Sequence, residues 1–549
     1  MTSTRSPVDR GAVLLGLTVV VLANARYLAG LSRILDPAMS MEPFYIDMAQ
    51  RAASDILVQD PSWGSLYALW LKPLRAWFGD PLHVYSANVH ALSLGFTVAI
   101  YCYVLLLTRR VAVATGAAFF VLISDLNVPL SSKVCTFATV VVLVGLILAE
   151  RARSTERRLA VAAGGVLIAS FVRPELYVAG LCLWLVAIWV ARHDLLDGRR
   201  STLLWIAAGT TILALTAWLI GTPIWSHHHE NDRLFHAFRE HFGWNWVRWN
   251  GESLPYLAVW QREFGAADSL SEAWWSNPSA VARHLADNLV GVLRTIFIET
   301  FSHYPLVAPA NWPRAASAEN LLVATAAMGG IVAACVNQDT RARALSQYYR
   351  LLPLAVASVV SIGMGILIFP SRHYLLIPAV CVILVASLAA ALLLPELPIR
   401  SWFGRASVAL VCLAVTRTPF VLPADYFAPD TRLGARVRVT RDVTDTIMLI
   451  RSLGLPGPVH VLTFTDGLGE LLGPGFREIK VWTRGNRSLK DFILEEQIDV
   501  IVTMEPGRFS FLLDDPHWDL IQQNPAAAGF ASVPTPGGGP ARVWVRISE

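Results

Sequence analysis

"LLPLAVASVVSIGMGILIFPSRHYLLIPAVCVILVASLAAALLL", residues 351–394, holds two apolar runs, 351–369 and 374–394, parted by a turn that carries Arg372 and His373. Each run is close to the roughly 20 residues that a helix needs to cross the hydrocarbon of a bilayer. Lipid offers the backbone no hydrogen-bond partners, so a span must satisfy its own, and a continuous apolar run does this as a helix. The pair therefore reads as two spans joined by a tight turn. Comparable runs lie near 11–31, 84–108, 111–128, 134–149, 159–172, 176–191, 202–221, 320–336 and 404–422. The expected fold is a polytopic α-helical membrane protein with about 11 transmembrane helices.

Composition agrees. Of 549 residues, 54% are hydrophobic and 16% charged, with a mean hydropathy of +0.48. Soluble domains carry about a quarter charged residues, so a soluble globular chain is excluded. A formal charge of +4 is no signal for nucleic acid, and no nucleic-acid partner is expected. The cysteines, Cys102, Cys135, Cys182, Cys335, Cys381 and Cys412, fall inside apolar runs without metal-motif or disulfide-framework spacing, and read as packing residues.

Alternate loops differ in basic content, as the positive-inside rule demands. Residues 1–10, 109–110, 150–158, 192–200, 337–350 and 395–405 hold sixteen Lys and Arg, whereas three short loops on the other side hold one each, Lys133, Arg173 and Arg372. This puts the amino terminus and the basic loops in the cytoplasm, and the expected location is the plasma membrane. The stretch 288–301, "NLVGVLRTIFIETF", is interrupted by Arg294 and Glu299 and reads as an interfacial or re-entrant helix, because counting it as a span would turn the basic loop 337–350 outward. The first run follows Arg5 and Arg10 and ends at "ANA", so a cleaved signal peptide is the alternative there.

Four regions result: a transmembrane core, 1–222, with a first outer loop at 32–83; an outer interfacial region, 223–319; further transmembrane helices, 320–422; and an extracytoplasmic α/β domain, 423–549. In the last, "PVHVLTFT", "REIKVW" and "IDVIVTM" are β-branched runs alternating with helical stretches such as "SLKDFILEEQ", which suits a largely parallel sheet. Its glycines, in "TDGLGELLGPG" and "PTPGGGPAR", form neither a GxGxxG nor a P-loop and read as turns. The stretch "HHHENDRLFHAFREHFGWNWVRWN" suits a headgroup boundary, where aromatic rings are favoured. Metal ligation by His227, His228, His229, His236 and His241 is its alternative.

The short outer loops are the informative ones. Lys133, Arg173 and the group Arg372, His373 and Tyr374 stand at span ends, where a charge marks a substrate or ion pathway unless it snorkels to the headgroups. Arg, Lys, His and Tyr suit a lipid-linked phosphate, and a nearby carboxylate could take the proton of a hydroxyl or amine acceptor while that phosphate leaves. An outer loop that opens with "MEPFYIDMAQRA", a second acidic turn in "VQDPSWGSLYALWLKPL", and a late "SRHYLLIP" together resemble the GT-C superfamily of integral membrane glycosyltransferases, over roughly residues 10–400. The resemblance implies an inverting transfer of sugar from a polyprenyl-phosphate donor to a glycan, lipid or protein acceptor, with a base from the first outer loop. Members often open that loop with an acidic pair, whereas Met41 precedes Glu42 here, so a divalent cation stays open as a cofactor.

The carboxylates are sorted by helix geometry. At 100° per residue from Pro43, Asp47, Gln50, Arg51, Ser54 and Asp55 share one arc, while Tyr45, Met48, Ala49, Ala52 and Ile56 share the other. Asp47 pairs with Arg51 at i,i+4, whereas Glu42 stands at the helix start over the aromatic side, as general base, cap or both. Asp60, before Pro61, is a second acid or a turn former, and Asp36 is a weaker case of the same kind. The candidate catalytic set is Glu42, Asp60 and Asp47, with Arg173, Arg372, His373, Tyr374 and Lys133 at the donor phosphate. Rival readings are a flippase for lipid-linked sugars, which predicts midplane charges and inverted repeats, an O-antigen-ligase-like polymer transferase, and an assembly protein working through its outer domain.

Overall fold

The computed structural model describes residues 9–28, 37, 42–59, 64–127, 133–196, 200–223, 233–252, 254–297, 300, 325, 327–333, 335–336, 338, 341–342, 347–393, 443–464, 467–485, 487–503, 515–535 and 541–547. Asp36, Asp60, His227, His228, His229, Cys412 and the run 404–422 lie outside the described residues.

The chain begins with α1 (Arg10–Leu28), followed by three short helices, α2 (Glu42–Met48), α3 (Ala53–Gln59) and α4 (Ser65–Phe78). Next come α5 (Pro81–Thr108), α6 (Val111–Ile123), α7 (Val134–Ala149), α8 (Thr155–Ser170) and α9 (Leu176–Val190). A short α10 (Arg192–Leu196) leads to α11 (Arg200–Leu219), then α12 (Arg233–Asn250), α13 (Tyr256–Phe264), α14 (Leu270–Ser276) and α15 (Pro278–Phe297). Two long helices, α16 (Tyr348–Leu367) and α17 (Arg372–Leu393), precede the carboxyl-terminal region.

Four of these, α5, α11, α16 and α17 from Tyr374 onward, are long and apolar enough to cross a membrane. The equally apolar α6, α7 and α9 have 13, 16 and 15 residues, which at about 1.5 Å per residue falls short of a hydrocarbon core about 30 Å thick. Among the described residues, helix length thus gives four crossings and not about eleven. The runs 134–149 and 176–191 were already shorter than a full crossing, and the run 111–128 is cut short because the polar Ser124, Asp125 and Asn127 turn the chain where α6 ends.

Cross-links within the bundle fix helix direction. Tyr101 Oη donates to the Val13 carbonyl and Asn24 Nδ2 to Thr97 Oγ1, both at 2.8 Å, so α1 and α5 run antiparallel. Between α7 and α8, Gly145 and Gly165 face each other so closely that a Cβ on either would lie 2.8 Å from the other's Cα. Such backbone contact is how helices pack where lipid removes the hydrophobic drive. At the end of α7, Arg350 Nε donates to Glu150 Oε1 at 2.7 Å and Nη2 pairs with Oε2. The same guanidinium reaches the Leu106 and Leu107 carbonyls that end α5, and Arg158 lies 3.8 Å from Glu150.

Helices α12 to α15 form a lateral layer around Phe238, Phe242, Trp246 and Trp260. Its buried Asn245, His284 and Asn288 hydrogen-bond one another. From there Asn288 Nδ2 donates to the Ile366 and Ile368 carbonyls, which docks the layer on the end of α16. Burial lowers the His284 imidazole to about 4, so it stays neutral.

The carboxyl-terminal region comprises α18 (443–452), β1 (Val459–Thr463), α19 (Leu468–Leu472), β2 (Phe476–Lys480), α20 (Leu489–Glu495), β3 (Val500–Thr503), α21 (Pro516–Gln523), β4 (Phe530–Val533) and β5 (Arg542–Arg546). The sheet order is β2-β1-β3-β5-β4. β1 pairs parallel with β2 and β3, but β5 pairs antiparallel with β3 and β4. The sheet is therefore mixed, not largely parallel, because the eight residues 534–541 separate β4 from β5, fewer than the dozen or so that a parallel crossover needs. Alternation divides its faces: Leu462, Ile501 and Trp544 pack on Phe492 and Trp518, whereas Val461, Val500, Val502 and Val543 belong to one core with α18, α19 and the helices of the bundle.

Candidate active site

Glu42 begins α2, and Pro43 fits behind it because a first-turn residue needs no N–H. The Glu42 side chain is fully buried. Tyr67 Oη, from α4, donates to its carboxylate at 2.9 Å from Oε2 and 3.1 Å from Oε1. The Lys133 backbone N–H donates to Oε1 at 2.6 Å. Since Lys133 directly precedes α7, Glu42 places its charge at the start of another helix, where the dipole favours an anion.

A relay stands behind Tyr67. Trp70 Nε1 donates to Asn88 Oδ1 at 2.8 Å, and Asn88 Nδ2 donates to Tyr67 Oη at 2.6 Å. Tyr67 Oη thus accepts from Asn88 and has its one proton to give to Glu42. Tyr45 meets Tyr67 edge-on at 5.1 Å, and Phe137 stacks on Trp70 at 5.6 Å, which closes the relay from the side. Burial first, and the Glu42 charge second, push the Tyr67 phenol well up, so it stays protonated.

Lys133 is itself fully buried, with Nζ 3.2 Å from the Asn127 carbonyl. Burial pushes its ammonium down to about 7, while Glu42 pulls the other way. Near neutral pH it can therefore hold or release a proton. This buried amine is not displayed to solvent as an exposed phosphate ligand would be.

Beyond α7, Arg173 Nε donates to Glu175 Oε1 at 2.8 Å and Nη1 to Cys135 Sγ at 3.5 Å, with the guanidinium 4.4 Å from the centre of the Tyr374 ring. Burial opposes the charge on Arg173, but Glu175 beside it prevails and raises its pKa. Cys135 is accordingly a contact of the Arg173 cluster and not only a packing residue. Leu66 N donates to the Phe171 carbonyl at 3.3 Å, which ties α4 to the Arg173 turn.

Two clusters result, Glu42 with Tyr67 and the Lys133 amide, and Arg173 with Glu175 and Tyr374, and they are joined through Cys135, two residues after Lys133. Arg372 and His373 begin α17 beside Tyr374, with side chains outside the described set. Asp47 is in neither cluster. It lies 3.9 Å from Arg51 with both side chains 41% exposed, and accepts from Gln50 Nε2. Residues 43–56 are also not one helix: turn bonds from Gln50 N to Asp47 O and from Arg51 N to Met48 O end α2, and Ala52, expected inside, is exposed.

The sequence reading placed Glu175 beside Arg173 in the loop "FVRPEL" but passed over Tyr67, Trp70 and Asn88. Tyr67 and Trp70 share a helix face at i,i+3 inside a quoted motif, and Asn88 is a polar residue in an apolar run, a signal for function. Among the described residues no three His, Cys, Asp or Glu side chains assemble as a metal site. The groups described around Glu42, Tyr67 Oη and the Lys133 amide, are hydrogen-bond donors, which suit a carboxylate. The sequence matches no protein-family model and no curated protein.

Proposed function

We propose that the protein is an integral membrane glycosyltransferase of GT-C type, with its site and carboxyl-terminal domain on the extracytoplasmic side of the plasma membrane. The observation that carries this reading is one buried carboxylate, Glu42, held on the Lys133 amide at the start of α7, with the Arg173–Tyr374 pair attached to the same helix start through Cys135. In this proposal the shorter apolar helices α6, α7 and α9, together with α1, α8 and the runs 320–336 and 404–422, also cross, giving about eleven crossings with a cytoplasmic amino terminus. The antiparallel course of α1 and α5 is what two consecutive crossings require.

The reaction is an inverting displacement. The acceptor oxygen bonds to the anomeric carbon as the bond from that carbon to the donor phosphate oxygen breaks, and the electron pair leaves on the phosphate. Glu42 takes the acceptor proton, and Arg173, Tyr374, Arg372 and His373 meet the charge that grows on the polyprenyl phosphate, with Lys133 adding its charge from the buried side and not as a direct ligand. Because Glu42 is fully buried, the acceptor hydroxyl must replace one of its present donors. Asp60 remains the proposed second acid. No step passes through a metal.

Purified protein incubated with a panel of radiolabelled polyprenyl-phosphate sugars tests the proposal. At least one donor is expected to bind and to lose its sugar to an acceptor. Absence of both binding and release across the panel would overturn it.

A further inference from the structure

We propose that the carboxyl-terminal domain is a positioning element of this site: α19, wedged between the sheet and α2, fixes the helix that carries Glu42. The catalytic consequence rests on the glycosyl-transfer reading, whereas the placement stands without it.

The need for such support is physical. α2 has seven residues, and a helix that short does not hold itself together in isolation. On one side it leans on α4 through Tyr45 and Tyr67. On the other stands Gly467, the residue before α19, at φ +95, where a Cβ would lie 2.6 Å from Pro43 Cβ and 2.8 Å from Pro43 Cγ. The Gly467 backbone is thus in direct contact with the ring next to Glu42. Leu468, Leu471 and Leu472 share one buried core with Tyr45, Ile46 and Met48.

α19 is anchored at both ends. At its start, Glu478 of β2 accepts from Leu468 N at 3.2 Å, Gly467 N at 3.4 Å and Thr463 Oγ1 at 2.7 Å. At its end, Arg451 of α18 donates to the Leu471 and Leu472 carbonyls at 2.7 and 3.0 Å. The same guanidinium donates to Asp80 Oδ2 at 2.6 Å. Asp80 in turn caps α5 through Leu82 N and His83 N. One arginine therefore joins the sheet domain to the helix that carries Asn88, while Gly467 joins it to the helix that carries Glu42. A module tethered only for substrate capture would need neither link.

Hydrogen exchange on the full-length protein in detergent, with transfer kinetics beside it, tests this. In Arg451→Ala and in Gly467→Ala, the amides of 42–50 should exchange about tenfold faster, with 134–149 unchanged. Transfer should lose about a hundredfold in kcat while KM for the donor holds, as expected when a base is displaced by about 1 Å. Arg451→Lys, which keeps the charge but not the fork, should fall between; with Gly467→Ala it carries the test if Arg451→Ala does not fold. Wild-type exchange over 42–50 in these variants, with 468–472 loosened, would overturn the proposal. If the wild-type protein transfers no sugar, the functional reading fails, and the exchange data still decide the placement.

Discussion

Helix α7 has a buried carboxylate at each end, and the two are held in different ways. Glu150, at its carboxyl-terminal end, sits where the helix dipole disfavours an anion, and it takes the forked guanidinium of Arg350 with Arg158 nearby. Glu42, at the amino-terminal end, sits where the dipole welcomes it, and a tyrosine hydroxyl and a backbone amide hold it. The first arrangement cancels a charge and locks α5, α7 and α16 together. The second leaves the carboxylate bound to donors that an acceptor hydroxyl can replace. The same residue type thus serves as a clamp at one end and as a candidate base at the other.

The comparison can be broken most forcefully at the clamp. Arg350→Ala should destabilise the protein by about 3–5 kcal/mol, because it leaves Glu150 buried without its main partner. Thermal unfolding in detergent checks this, and Glu150→Gln in the same background should restore part of the loss.

The next largest effect belongs to Lys133. Its ammonium is lowered from an ordinary 10.5 to about 7, so between those values the unfolded chain binds the extra proton and stability rises with pH. Below 7 both states are charged and the cost of burial is felt in full. Lys133→Met should therefore be more stable than wild type at pH 6, by on the order of a few kcal/mol, with the gap closing toward pH 10. Unfolding midpoints across that range read the sign directly.

Tyr67→Phe should cost about 1–3 kcal/mol, since Asn88 and Glu42 each lose a buried partner. Chemical denaturation measures it, and an effect equal to that of an exposed tyrosine would remove the relay from the account. Asp47→Ala should cost less than about 0.5 kcal/mol and leave transfer unchanged, as an exposed i,i+4 pair contributes little. A large effect there would move the site to the wet face of α2.

Hydropathy made the helices legible, and loop charge singled out Lys133, whose amide meets Glu42, and Arg173, which packs on Tyr374. Helical phase separated Glu42 from Asp47, although it carried one helix across a break at residues 49–52. Tyr67 and Asn88 escaped because their role depends on a contact between α2, α4 and α5 that no local spacing encodes. The β4–β5 hairpin escaped because "FASV" and "RVWVR" are short and flank a glycine-rich stretch that gave only a turn. Least legible was the shared core beneath the sheet: alternation in "PVHVLTFT" shows that a strand has two faces, but not that Val461 would face the bundle and Leu462 would face away.

The most direct test of the central claim is the transfer rate of Glu42→Gln against wild type, at equal expression and with a donor that the wild-type protein uses. The amide keeps the shape of the side chain but cannot take a proton. The account predicts a fall in kcat of about a hundredfold or more with the unfolding midpoint nearly kept. Transfer at the wild-type rate would contradict it and leave Glu42 as the cap of α7.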